Sequence, residues 1–188
     1  MNLLYAYSDK RLEDQKETRR FIQLLKETHP EIKIYEAKGI NDYDYEEMLI
    51  KMIELNDDFM IIEQDIVPTL EQFLEIANCP EPICSAKYYL YPKSTLLKEP
   101  VLASRSYISP DPHSNFYTTG TYKWSNINDS YSDLMGFGLC KFKKESIPYI
   151  ENFKRIKFWR DLDNRISNEL LKYKQKIHLH SVVKHNHQ

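Results

Sequence analysis

Over residues 1–91 the hydrophobic period switches repeatedly between that of a buried strand and that of an amphipathic helix, and no other feature restricts the fold as much. "LLYAYS" (3–8) reads as a short buried strand with Ser8 and Asp9 as turn or cap residues. From Leu12 to Thr28 a charged segment bunches Phe21, Ile22, Leu24 and Leu25, the pattern of a helix with one buried face closed by His29-Pro30. "IKIYEA" (32–37) alternates as a second strand that Gly39 ends. Asn41 is placed to cap the next helix, whose first turns carry Asp42, Asp44, Glu46 and Glu47, where the helix dipole favours acids. Tyr45, Met48, Leu49, Met52 and Ile53 form its apolar stripe. "FMII" (59–62) is the third strand, and "TLEQ" (69–72) is a capping box with Thr69 as N-cap and Gln72 three residues on. Leu70, Phe73, Leu74 and Ala77 give that helix its buried side, and "PICSAKYYLY" (82–91) is a fourth strand. Strands and helices in alternation predict a Rossmann-like α/β half: a parallel sheet with helices on both faces.

Residues 92–133 lose the pattern. Pro92, Pro100, Pro110 and Pro112 mix with Ser, Thr, Asn and Asp, and no amphipathic period holds. A run of this length without regular structure is usually functional or disordered. Its aromatics (Tyr107, Phe116, Tyr117, Tyr122, Trp124, Tyr131) argue against plain disorder. Order returns at "LMGFGLCKF" (134–142). A helix is expected from about Asp161 to Lys174, with Leu162, Ile166, Leu170 and Tyr173 along one side, and then a last strand, "IHLHSVV" (177–183). No internal repeat or linker divides the chain, and 188 residues suit one domain better than two. The expected layout is a single domain: a Rossmann-like half over 1–91, a variable loop over 92–133 and a C-terminal half over 134–188.

Charge narrows the partners. Twenty-six basic against 28 acidic side chains leave a net charge of −2, which is not the basic field that binds nucleic acid by counterion release. No apolar stretch approaches the ~18 residues a membrane span needs, and the N-terminus lacks the pattern of an export signal. Cys79, Cys84 and Cys140 show neither a CxxC nor a zinc-ligand spacing, and an odd number of cysteines points to reduced thiols. A cytoplasmic protein is expected.

Four constellations could carry chemistry. Glu63 and Asp65, with Gln64 between them, end the third strand, at the end of a parallel sheet where ligands bind. On extended backbone their side chains would point the same way and could share a hard cation such as Mg²⁺ or Mn²⁺; the other use of such residues is as solvated strand-end acids. In "FWRDLDNRI" (158–166), Asp161 and Asp163 open a helix, either as ordinary N-terminal acids or as a general base near Trp159. The tail "HLHSVVKHNH" holds four of the six histidines, with imidazoles at alternating strand positions that could ligate a metal. Gly136 and Gly138 bracket Phe137, where glycine permits a close approach or a bulge.

In their order along the chain, these motifs resemble glycosyltransferases of the GT-A fold in a reduced form, over about residues 2–187. In that family a Rossmann-like half ends in a DxD signature that holds a divalent metal on the pyrophosphate of a nucleotide sugar; here the signature is Glu63-Gln64-Asp65. The resemblance implies Asp65 as metal ligand, Glu63 and Gln64 at the donor, and Gly136 and Gly138 in a glycine-containing strand beside it. It implies Asp161, or Asp163, as the base of an inverting transfer and a late histidine, His185 or His187, completing the metal site. The implied co-substrates are Mn²⁺ or Mg²⁺ and a nucleotide-sugar donor, with a glycan, protein or lipid as acceptor and 92–133 as an acceptor platform. Small size and a Tyr/Ile/Lys-rich composition are similar to those of glycosyltransferases from crenarchaeal viruses, which implies the host cytoplasm. A nucleotidyltransferase of similar fold, a glycoside hydrolase with two carboxylates and a catalytically silent nucleotide- or carbohydrate-binding protein are the competing readings.

Overall fold

The computed structural model describes residues 1–8, 13, 15–38, 42–90, 100–109, 121–152 and 162–186. The expected alternation is present: β1 (Asn2–Tyr7), α1 (Lys16–Thr28), β2 (Lys33–Lys38), α2 (Asp42–Glu54), β3 (Phe59–Glu63), β4 (Ile66–Val67), α3 (Leu70–Asn78) and β5 (Ile83–Lys87). The expected fourth strand breaks at Tyr88, after which β6 (Tyr89–Leu90) leaves the main sheet to pair with β7 (Val101–Leu102). Asn41, the expected cap of α2, and Gly39 lie outside the described residues.

The later elements are β8 (Ser104–Ser109), β9 (Thr121–Trp124), β10 (Tyr131–Ser132), β11 (Leu134–Met135), β12 (Leu139–Phe142), α4 (Ile147–Ile150), α5 (Leu162–Lys172), β13 (Ile177–Val182) and β14 (Lys184–His185). The central sheet has seven strands in the order β10-β13-β5-β12-β3-β1-β2. β2, β1 and β3 run parallel, as do β13 and β5, while β12 is inserted antiparallel between β3 and β5. The sheet is therefore mainly parallel, with a reversed strand at its middle.

Helices cover both faces, and the alternation within each strand divides two cores. Leu4, Phe59, Ile61, Cys140 and Leu179 pack with α2, α4 and α5. Leu3, Met60, Ile62, Cys84 and Leu139 pack with α1 and α3. β3 is buried on both sides, which is why "FMII" is an uninterrupted apolar run. On α1, Phe21, Ile22 and Leu25 face inward while Leu24 is largely exposed.

The capping box is complete: the Thr69 hydroxyl accepts from Gln72 N (3.2 Å), and the Gln72 side-chain oxygen accepts from Thr69 N (2.9 Å). Helix α5 closes at Lys172, short of the expected Lys174. Lys174 adopts the left-handed φ of 56°, with Gln175 N–H on Leu170 C=O (3.0 Å) and Lys174 N–H on Leu171 C=O (2.9 Å), a Schellman closure. Tyr173 is consequently 45% exposed beside Tyr149 instead of lining the buried side.

The expectation that 92–133 lacks regular structure is overturned for its described part. β8 pairs with β9 and β11 in a three-stranded antiparallel sheet. β8 and β9 are short and polar, with Ser104 in β8 and Ser125 just after β9 buried, so their sequence shows no apolar alternation. Of the proposed platform aromatics, Trp124 lies under the Arg105 guanidinium (4.8 Å to the ring centre). Tyr131 sits on His178 (5.1 Å between ring centres), toward the amino end of β13 and away from the carboxyl ends of the strands. Phe116 and Tyr117, and the side chains of Tyr107 and Tyr122, lie outside the described residues.

Candidate active site

The carboxyl ends of β1, β3 and β5 converge with α5 and the C-terminal β14. Glu63 is the last residue of β3, and Gln64 and Asp65 then form a turn. The extended i, i+2 geometry expected for the two acids is therefore absent, because the strand ends between them. Glu63 turns toward α2, where the Tyr45 hydroxyl donates to its Oε1 (3.1 Å). Asp65 turns toward the C-terminal segment: β14 pairs antiparallel with β4, His185 standing opposite Ile66. Asn186 N–H donates to the Asp65 carbonyl (2.7 Å).

This pairing brings His185 Nε2 to 3.4 Å from Asp65 Oδ2, with both side chains largely buried. His185 Nδ1 lies 2.8 Å from the Tyr89 carbonyl oxygen. A carbonyl only accepts, so Nδ1 carries the proton in this contact and Nε2 is the nitrogen presented to Asp65. A ring nitrogen fixed in this way by its other nitrogen is the usual preparation of a metal-ligating imidazole. His187 and Asp161 lie outside the described residues, as does Trp159.

Asp163, in the first turn of α5, belongs to the same end of the molecule. Burial, then the charges of Asp65 and Asp163, push the Glu63 carboxyl up to about 8, against the opposing Tyr45 hydrogen bond. Three acids thus feel one another here, and the direction of the shift favours the protonated carboxyl of Glu63. The packing of α5 against the sheet brings Asp163 to this end as well.

Gln64 is bonded within the chain. Its Oε1 accepts from Ser8 N (2.6 Å) and from Gln15 Nε2 (3.0 Å), tying the end of β1 to the start of α1. Gln15 also donates to the Ser8 carbonyl and accepts from Arg19 Nη2 (2.8 Å). Arg19 lies over the Tyr7 ring (5.1 Å to its centre), placing a cation at the mouth of the site. Neither Gln15 nor Arg19 has a motif that would single it out in the sequence.

Gly136 and Gly138 make room for Tyr88. A Cβ on Gly136 would run into the Tyr88 hydroxyl, and one on Gly138 would lie 2.5 Å from Tyr88 Cε1 and 2.9 Å from Ile66 Cδ1. Tyr88 in turn packs on His185 (5.2 Å between ring centres), so the two glycines support the histidine from beneath. Gly136→Ala should cost about 1–3 kcal/mol by overpacking, and Tyr88→Phe should recover part of it by removing the opposing oxygen. A double-mutant cycle in urea checks this; zero coupling would show that the hydroxyl is not what excludes a side chain.

No protein-family model matches the sequence, and no curated protein matches it. Among solved structures, a glycosyltransferase involved in glycosylation of the major capsid of PBCV-1 superposes with TM-score 0.45 at 7% identity, over 96% of this chain and 82% of that one. A 4-diphosphocytidyl-2C-methyl-D-erythritol synthase from Anaerococcus prevotii gives 0.42 at 12% identity, over 96% and 88%. An inositol-1-phosphate CTP transferase from T. maritima gives 0.40 at 9% identity, over 96% and 66%. Likeness at these values does not carry function across, so function follows from this chain's own residues. Among the described residues, no helix is long and apolar enough to cross a membrane.

Proposed function

We propose that this protein is a metal-dependent glycosyltransferase that moves a sugar from a nucleotide-sugar donor to a hydroxyl acceptor. The observation that carries the reading is the Asp65–His185 pair. A carboxylate and an oriented imidazole stand 3.4 Å apart at the carboxyl end of the central sheet, on two segments joined only by tertiary pairing. Solvated strand-end acids would need no histidine held in one tautomer beside them. One carboxylate and one imidazole fit a divalent cation whose other positions are filled by phosphate oxygens and water. When bound, such a cation supplies Lewis-acid stabilisation of a departing diphosphate.

The chain's own groups do the rest. Arg19, on α1 over the Tyr7 ring at the end of β1, offers a further cation toward the donor. Glu63, whose burial and acidic neighbours favour the protonated carboxyl, offers a hydrogen bond beside the phosphates. An aspartate at the start of α5 takes the proton of the acceptor hydroxyl: Asp163, whose charge reaches Glu63, or its neighbour Asp161. The domain works as one unit, with 1–91 holding the donor, 134–188 completing the metal site, and the segment between them meeting the acceptor.

A screen of UDP-, GDP-, dTDP- and CMP-sugars for Mn²⁺-dependent thermal stabilisation tests the binding step. At a donor concentration 100 times its Kd, the expected stabilisation is about 2.7 kcal/mol. The product of a turnover assay then identifies the reaction. Release of a nucleoside diphosphate supports glycosyl transfer from an NDP-sugar, and release of a nucleoside monophosphate supports it from CMP-sugars. Pyrophosphate released from a nucleoside triphosphate and a sugar phosphate would make the protein a nucleotidyltransferase. Binding without turnover would make it a silent binding protein.

A further inference from the structure

A cluster of two cysteines and two histidines lies at the other end of the sheet. Cys84, near the start of β5, stands opposite His178 on the parallel strand β13. His180, two residues on, points to the same face, which α3 covers. Cys79 caps the C-terminus of α3 and closes the group. One ligand atom from each of Cys79, Cys84, His178 and His180 lies within 4.8 Å of all the others. Tetrahedral zinc, with Zn–S of ~2.3 Å and Zn–N of ~2.0–2.1 Å, spaces its ligand atoms by roughly 3.3–3.8 Å. A contraction of about an ångström closes the cluster onto an ion.

The histidines are already arranged for this. His180 Nδ1 lies 2.8 Å from Glu75 Oε1, and Glu75 Oε2 also accepts from the Ser181 hydroxyl (3.1 Å). Because a carboxylate accepts, Nδ1 carries the proton and Nε2 is the nitrogen left to bind. His180 is only 8% exposed, and its Nε2 is buried with no hydrogen-bond partner among the described residues. A buried imidazole nitrogen left without a partner costs free energy unless something fills the place. Cys79 Sγ lies 3.3 Å from His178 Nδ1, on the side toward the cluster. Lys141, buried beside Cys84 on β12, donates to the Cys79 carbonyl and sets a positive charge near both sulfurs.

We propose that Cys79, Cys84, His178 and His180 bind a structural zinc ion, with Glu75 orienting His180. Both cysteines bind as thiolates and release their protons to water, so the ion and two sulfurs form a neutral unit that suits a buried position. Four protein ligands close the shell, which makes the site structural instead of hydrolytic. The ion would clasp the end of α3 to β5 and β13. Since β13 runs on into β14, the clasp also steadies the segment that carries His185. This inference is independent of the proposed transfer reaction.

Elemental analysis of the purified full-length chain, freed of any affinity tag, should find close to one zinc per chain, and Asp65→Ala should retain it. Replacement by Co²⁺ should give thiolate-to-cobalt charge-transfer absorption and the intense visible bands of tetrahedral coordination. Cys84→Ser should lose both signals. Since Cys84 is fully buried and its replacement could unfold the chain, Glu75→Gln is the second variant. It changes a half-exposed group and should weaken Co²⁺ affinity about 10–100-fold with an unchanged circular dichroism spectrum. The proposal is overturned if the chain holds no zinc and takes up no cobalt, whether Cys79 and Cys84 are free or joined as a disulfide, or if cobalt binds without thiolate charge transfer. Equal affinity in wild type and Glu75→Gln would overturn the role given to Glu75, and zinc lost from Asp65→Ala but kept by Cys84→Ser would move the ion to the other site.

Discussion

Asp65→Ala should abolish metal-dependent donor binding, while Asp163→Ala should leave donor binding intact and slow transfer. The two residues share one end of the sheet but face different steps. Asp65 stands 3.4 Å from His185 Nε2, and removing it leaves an imidazole alone to hold a hard cation beside a pyrophosphate. The loss in metal-dependent affinity should be at least the ~10–100-fold seen when only an outer partner of a ligand is removed. Loss of a general base typically lowers the rate by roughly 10²–10⁴, which is the expectation for Asp163→Ala in single-turnover assays at saturating donor. Asp161→Ala, from the same segment, is the companion variant. If it alone abolishes transfer, the base is Asp161 and the rest of the mechanism stands. If neither substitution slows transfer, the base assignment is wrong. Normal donor and metal binding by Asp65→Ala would remove the metal site itself.

Glu46→Ala should be among the most destabilising single substitutions in the chain. Arg165, on α5, is 1% exposed, and its guanidinium addresses both oxygens of Glu46 on α2, Nη2 to Oε1 at 3.3 Å and Nη1 to Oε2 at 3.4 Å. Taking away one partner of a buried ion pair removes much of what compensates the other charge, at a cost of up to about 3–5 kcal/mol. Replacing both by apolar residues of similar volume is often neutral, so Glu46→Leu with Arg165→Met should recover most of the loss. Urea unfolding measures both, and a loss below about 1 kcal/mol for Glu46→Ala would show that Arg165 does not depend on this carboxylate. The pair also bears on the site, because Tyr45 and Asp163 sit next to it on the same two helices. Donor turnover should therefore fall further than the folded fraction does.

Several of these features are legible in the order of residues alone. The strand–helix alternation over residues 1–91 is visible because burial imposes one period on a strand and another on a helix, and both are local. The Thr69–Gln72 capping box is likewise closed within four residues. Asp65 can be placed at a strand end because four apolar residues stop just before Glu63. Residues 100–109 and 121–133 are unreadable for the opposite reason: β8 and β9 are short and polar, and their backbone groups are satisfied by partners distant in the chain.

Local pattern is thus enough for the layered α/β class, the elements of the first half and the acids at the end of β3. It is silent on the entry of β12 antiparallel between β3 and β5, on the pairing of β14 with β4 that brings His185 to Asp65, and on the room that Gly136 and Gly138 leave for Tyr88. The same holds for the cysteines. Cys79 and Cys84 lie half the chain or more away from His178 and His180, and it is the parallel register of β5 with β13 that sets Cys84 opposite His178. Spacing along a chain records which face of its own element a residue occupies. Which residues of other elements meet it there depends on strand order and register, and those follow from how the two apolar faces of the sheet are covered as a whole.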